Sequence, residues 1–307
     1  MNDLWNSKSA EFSIPGTSNP PTMDQLAKII KLLGQSLRSL TITFRCAMQI
    51  SPHLMEAIKT IDNLKSLSMR FNHWFSRYEY ETHDLPSLSE LFLSIPNLEH
   101  LSLNCVSLGH LDLKPPSLSK LRYFAFTYGG DLGGIHDIVQ ASKHTLKFID
   151  FYTRIQPPVD LRLLLEPIKD TLEGIFPYFI EDQLDKSVTD LDFPNLRVIA
   201  TQCLVDIYWL QEPMFKHIRT IVADLYETEH YWRDVLKEAN VNAFEKLPNF
   251  KHFVFTTDEK SKYQEIYSEL LEAFESRGIQ CHLTDELTSV QILELDNTLN
   301  GPMEKNH

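Results

Sequence analysis

Apolar residues along this chain recur in a fixed six-residue frame, L-x-x-L-x-L. Leu98, Leu101 and Leu103 in "NLEHLSLNC" define it. The frame also fits Leu37/Leu40/Ile42, Leu64/Leu67/Met69, Leu121/Phe124/Phe126 and Leu146/Ile149/Phe151. It continues, with weaker matches, at Leu172/Ile175/Pro177, Leu196/Ile199/Thr201, Ile218/Ile221/Ala223 and Phe250/Phe253/Phe255. Successive first positions lie 27, 34, 23, 25, 26, 24, 22 and 32 residues apart. In the first three frames the last four residues alternate polar and apolar, which predicts a short strand with one buried face.

Each frame follows a segment with helical spacing. In "TMDQLAKIIKLL" the apolar Met23, Leu26, Ile29, Ile30 and Leu33 fall on one stripe, with Thr22 and Gln25 spaced as a capping box and Gly34 as a stop. Similar spacing predicts helices over 52–61, 86–95, 132–144, 160–171, 232–246 and 261–277. Self-similarity at roughly 20–29 residues marks a leucine-rich-repeat solenoid. The expected fold is therefore α/β: a horseshoe of about nine to ten irregular repeats, with parallel strands on the concave face and helices on the convex face.

The repeat places the solenoid at 22–291. The amphipathic "SKYQEIYSELLEAFESRG" and the strand-like "IQCHLT" form a C-terminal cap over about 257–285. Residues 1–21 are Ser, Pro and Asn rich and are expected to be loosely ordered, and 292–307 to be a flexible tail. The long intervals carry insertions, "FNHWFSRYEYETHD" after the second frame and "EHYWRDVLKEANVNAFEKL" before the last. Pro177 stands where a ladder residue belongs, so a local irregularity is expected there.

Length alone, 307 residues, would suggest two domains, but a stacked solenoid can run one core along its length. The formal charge of −13 disfavours nucleic acid and anionic membrane surfaces as partners. The four cysteines are scattered without a CxxC pair, so neither a disulfide framework nor a zinc site is expected. Cys46 and Cys105 each follow a strand frame, where a small buried side chain suits the turn. The N-terminus lacks a basic segment followed by an apolar one, and no apolar run is long enough to span a bilayer. Together with the absence of N-x-S/T sequons, these features point to a cytoplasmic or nuclear protein that is not secreted.

Catalytic signals are thin. "YGGDLGG" (Gly129, Gly130, Gly133, Gly134) leads into a helix, but it has neither G-x-G-x-x-G order nor a following Lys-Ser/Thr. It reads as a strand-to-helix loop. Glu227, Glu229, His230 and His144 show no metal-ligand spacing, and G-x-S-x-G is absent. No enzyme activity, cofactor or metal is expected.

The register assigns side chains to the concave wall. Early repeats present Ser39, Thr41 and Thr43, then Ser66, Ser68 and Arg70, then His100, Ser102 and Asn104. The middle repeats present aromatics: Tyr123, Phe148, Tyr152, Phe176 and Tyr178. Exposed aromatic clusters mark interaction hot spots. Two alternatives stay open: the rings are covered by the chain's own segments, or the repeat at Leu172 is out of register. Arg70 and Trp74, the latter in the insertion, flank the patch. These seven residues are the candidate partner-binding set.

"LPSLSELFLSIPNLEHLSL", "FPNLRVIAT" and "LPNFKHFVF" resemble the leucine-rich-repeat part of fungal F-box proteins, over about residues 36–256. The resemblance implies a substrate-recognition module that captures a protein target for a ubiquitin ligase. A Skp1-type adaptor would join only through an F-box. That motif opens with Leu-Pro and spans several helical segments, whereas the segment before Thr22 is polar. Val106 also stands where the common repeat carries Asn. The alternative function is a scaffold or inhibitor independent of ubiquitin.

Overall fold

A computed structural model of the chain describes residues 9–14, 21–44, 50–71, 85–105, 107–128, 130–153, 160–177, 184–201, 210–225, 232, 234–237, 244, 247–258 and 264–301. It is an α/β fold whose strands form one open sheet in chain order. The strands are β1 (Ser9–Ile14), β2 (Ser39–Phe44), β3 (Ser66–Phe71), β4 (His100–Asn104), β5 (Tyr123–Tyr128), β6 (Phe148–Thr153), β7 (Gly174–Pro177), β8 (Val198–Thr201), β9 (Thr220–Asp224), β10 (His252–Thr256) and β11 (Gln280–Thr284). Every pairing whose register is described is parallel. A sheet in which each new strand is added next to the last is a solenoid-like arrangement, because each helix–strand unit buries its apolar face only against its neighbours.

The described α-helices are α1 (Pro21–Leu33), α2 (Pro52–Lys59), α3 (Leu85–Ser94), α4 (Gly133–Ser142), α5 (Arg162–Leu165), α6 (Lys186–Thr189), α7 (Gln264–Glu275) and α8 (Ser289–Asn300). Local chemistry sets several of their ends. The Ser51 side chain accepts from Leu54 N–H at 3.2 Å and Pro52 opens α2, a favourable start because proline lacks the N–H that would go unpaired. Asp185 caps α6 in the same way. α5 is much shorter than the expected helix over 160–171, since Pro167 follows it and the chain tightens into a 3-10 turn over Glu166–Ile168. The expected helix over 232–246 falls largely outside the described residues.

The chain divides into two compact units, residues 1–146 with 151–157, and residues 147–150 with 158–307. In the first unit burial alternates along each strand as the frame requires. Leu40, Leu67, Leu101 and Phe124 stand in register, as do Ile42, Met69, Leu103 and Phe126, and all are buried. Phe44 and Phe71 extend the core as stacked rings with centroids 4.8 Å apart. Each such side chain contributes roughly 1.5–3 kcal/mol by leaving water. In the second unit the alternation disappears: β8, β9 and β10 are buried on both faces.

Both ends differ from the sequence expectation. Residues 9–14, within the segment read as loosely ordered, form β1, paired with β2 from Ser9↔Ser39 to Ile14↔Phe44. "SAEFSI" has the two-residue alternation but no leucine frame, so the repeat pattern passes over it. Residues 292–300, read as a flexible tail, lie in α8, with Ile292, Leu293 and Asp296 buried. The described β7–β8 register covers only Gly174↔Val198 and Ile175↔Ile199, short of Pro177, while β9 and β10 share five positions.

Candidate functional site

The face of β1–β5 opposite the leucine core carries three lanes of side chains. The first runs Ser9, Ser39, Ser66, His100, Tyr123; the second Glu11, Thr41, Ser68, Ser102, Ala125; the third joins Thr43, Arg70, Asn104 and Thr127. In β2–β5 every one of these residues is at least partly exposed, and Arg70 is the most exposed of them. From β2 to β5 the middle lane is built of small side chains, Thr41, Ser68, Ser102 and Ala125. At its border His100 and Tyr123 stack with ring centroids 4.3 Å apart and planes 2° from parallel. Burial pulls the His100 imidazole down to about 4, against the opposing pull of Glu99 and with help from Lys65 and Arg122. The ring is therefore neutral at physiological pH.

In the second unit the same face is covered by α8. Leu293 reaches Gly174, where Phe148 also packs, and Ile292 lines a cavity of about 170 Å³ with Phe176, Ala200 and Val222. Asp296, with no exposed surface, lies at the centre of the contact. It accepts from both Arg219 nitrogens of the guanidinium fork, Nη2 at 2.7 Å and Nε at 3.2 Å, from Thr220 Oγ1 at 2.6 Å, from Asn300 Nδ2 at 3.0 Å, and from Arg197. α8 is held at its start by a full capping box: Thr288 Oγ1 accepts from Gln291 N–H, and Gln291 Oε1 accepts from Thr288 N–H at 2.8 Å.

These facts separate the seven candidate residues. Tyr123, Tyr152 and Arg70 belong to the first unit; the two tyrosines are partly exposed and Arg70 is exposed. Phe148 is fully buried, so its expected role as an exposed anchor is corrected: its ring packs over Gly174, which Leu293 of α8 also approaches. Phe176 is partly buried and lines the small cavity beside Ile292. Trp74 and Tyr178 lie outside the described residues, as do Cys46, Glu227, Glu229 and His230. His144 is exposed. Cys105 is buried, and burial pushes its thiol up to about 12.

The glycine loop has a packing explanation. Gly133 N–H donates to Asp131 Oδ1 at 2.8 Å and Gly134 N–H to Leu108 O at 2.8 Å, so the amides that would cradle a phosphate are already paired. A Cβ on Gly134 would stand 2.5 Å from Gly109 O, which only glycine avoids. Among the described residues no three His, Cys, Asp or Glu side chains gather as metal ligands, and no helix is long and apolar enough to cross a membrane.

One feature was visible in the frames but lies outside the leucine positions: the second residue of every frame is charged. In the first unit these are Arg38, Lys65, Glu99 and Arg122, and their backbones are linked in sequence, each donating to the carbonyl of the one before. Lys65 pairs with Glu99 at 2.5 Å; despite burial, this bond and the charges of Lys65 and Arg122 hold Glu99 below its ordinary value. In the second unit the row is Lys147, Glu173, Arg197, Arg219 and Lys251. Glu173 bridges Lys147 and Arg197, the latter at 2.7 Å, and is likewise held low despite burial. Asp296 then supplies from α8 the acid that the strands omit between Arg197 and Arg219.

No family model matches the chain, and no curated protein matches it.

Proposed function

We propose that the chain is a non-enzymatic protein-interaction module of the leucine-rich-repeat type, using the open face of β1–β5 to hold a protein target. One observation carries this reading: in the first unit that face is at least partly exposed in every described strand from β2 to β5, while in the second unit α8 covers it. A floor of Thr41, Ser68, Ser102 and Ala125 lets a partner backbone or small side chains approach closely. Tyr123 and Arg70 are the residue types that dominate interface energies. Tyr152 extends the same unit's face. A sheet fixed by parallel pairing has little to order on binding, which limits the entropic penalty.

The specific role proposed is target recognition of the kind carried out by fungal F-box/leucine-rich-repeat receptors, which the repeat sequences resemble. Support for that part comes from the resemblance alone. Co-purification of the full chain with a Skp1-type adaptor is the test. Failure to bind the adaptor removes the ubiquitin-ligase role and leaves a scaffold or inhibitor built on the same face. The interaction role is tested with Ser102→Arg and Ala125→Arg, which fill the lane without touching the core. Loss of every partner captured by wild type is expected; unchanged capture by both variants overturns the use of this face.

A further inference from the structure

We propose that the recess at the leading edge of β8–β10 is a binding site for a small hydroxylated phosphomonoester. The recess, of about 270 Å³, is lined by Asn195, Arg197, His217, Arg219, Asn249 and Lys251, with Asn300 of α8 closing one side. Three of these residues are second positions of successive frames, so the repeat itself stacks their cations at strand spacing.

The charge balance around it is uneven. The row Lys147, Arg197, Arg219 and Lys251 carries four cations, and the carboxylates facing it are Glu173 and Asp296. His217 at the rim faces Asp192 at 3.5 Å, a further and more exposed pair. The row therefore holds two cations beyond its two carboxylates, in a chain whose net charge is −13. Lys147, Arg197 and Arg219 each have a carboxylate partner; Lys251 is exposed and has none among the described residues. A dianion beside Lys251 and Arg219 continues the alternation that Glu173 and Asp296 establish further along the row.

Two buried polar atoms of the lining lack a hydrogen-bond partner among the described residues. Arg197 Nε–H is one, on a residue 3% exposed, and Asn300 Oδ1 is the other, while Asn300 Nδ2 donates to Thr220 and Asp296. Leaving a buried polar atom unpaired costs roughly 1–3 kcal/mol, so such atoms call for a ligand or water. A guanidinium N–H suits a phosphate oxygen, and an amide oxygen accepts from a hydroxyl. That pairing selects a phosphate ester bearing an alcohol over a bare carboxylate.

Isothermal titration of the full chain with glycerol 1-phosphate, inorganic phosphate, glycerol and acetate, at matched ionic strength, tests the site. Glycerol 1-phosphate is expected to bind most tightly, phosphate more weakly, and glycerol and acetate not at all. Lys251→Ala is expected to weaken glycerol 1-phosphate by about tenfold or more without changing thermal stability, because the Lys251 side chain is exposed and makes no ion pair among the described residues, and the variant keeps its backbone bonds to Arg219 and Gln280; Lys251→Arg is expected to retain binding. No heat with either phosphate at millimolar concentration overturns the proposal. So does equal binding of acetate, undiminished binding by Lys251→Ala, or equally tight binding of a phosphoserine peptide, which has no free alcohol to donate to Asn300 Oδ1.

Discussion

Asp296 and Arg219 meet as a buried fork, 77 residues apart in sequence, with Nη2 at 2.7 Å from one carboxylate oxygen and Nε at 3.2 Å from the other. Arg197 binds the same carboxylate from the neighbouring strand edge, so one acid on α8 neutralises two cations of the sheet. Breaking a buried pair from one side leaves uncompensated charge. Asp296→Ala is expected to destabilise the protein by about 3–5 kcal/mol. Asp296→Asn, which keeps the shape and part of the hydrogen bonding, is expected to fall between Ala and wild type. Urea denaturation measures both; a loss below about 1 kcal/mol for the alanine variant would show that α8 is not fastened by this acid.

A second contact packs α8 about one turn before Asp296, through a missing side chain. A Cβ on Gly174 would stand 2.3 Å and 2.5 Å from two ring carbons of Phe148 and 3.2 Å from Leu293. Phe148 has no exposed surface, so its ring has nowhere to go without disturbing its neighbours. Gly174→Ala is expected to cost about 1–3 kcal/mol by overpacking. Adding Phe148→Leu should recover part of that loss, giving a coupling energy in the double-mutant cycle that a backbone effect at Gly174 alone would not produce.

Much of the first unit is legible in its sequence because one signal serves both purposes. Leu101 and Leu103 must be buried for β4 to pair, and their burial sends His100, Ser102 and Asn104 to the other face. The second unit breaks this economy. Val198, Ala200 and Val222 are apolar at positions the frame assigns to the open wall, which already indicates a cover. The cover itself was hidden because α8 has a charge at the centre of its buried face: Asp296 makes Ser289–Asn300 resemble a solvated tail. A buried acid can be recognised from sequence only by pairing it with the unmatched run Arg197, Arg219 and Lys251. The capping spacing of Thr288 and Gln291 was the local clue that a helix starts there.

The thiols give a simple check on packing. Burial pushes both Cys105 and Cys281 up to about 12, with Glu275 adding to the effect at Cys281. Only the thiolate reacts with alkylating reagents. Iodoacetamide at pH 8 is expected to leave these two cysteines unmodified in the folded protein and to label both in urea, with peptide mass spectrometry locating the adducts. Rapid labelling of Cys105 without denaturant would contradict its place beside the core of β4.

Asp150 and His100 depart from their ordinary values in ways that predict opposite dependences on pH. Burial pushes the Asp150 carboxyl up to about 7, and it has no hydrogen-bond or ion-pair partner among the described residues. Its folded value lies above its unfolded one, so the stability tied to it is complete below about pH 4 and is lost as pH rises through 7. His100, pulled down to about 4, behaves the other way: its contribution is complete above about 6.5 and is lost as pH falls through 4. Asp150→Asn should therefore gain on wild type as pH rises from 4 to 7, and His100→Gln should gain on wild type as pH falls from 6.5 to 4. Each gain should approach about 1.4 kcal/mol per pH unit for a single proton. Urea midpoints at pH 4, 5.5, 7 and 8.5 distinguish the two. Parallel curves for Asp150→Asn and wild type would mean that the Asp150 carboxylate finds a charged partner or water in solution, and parallel curves for His100→Gln would mean that the imidazole stacked on Tyr123 can hold its proton.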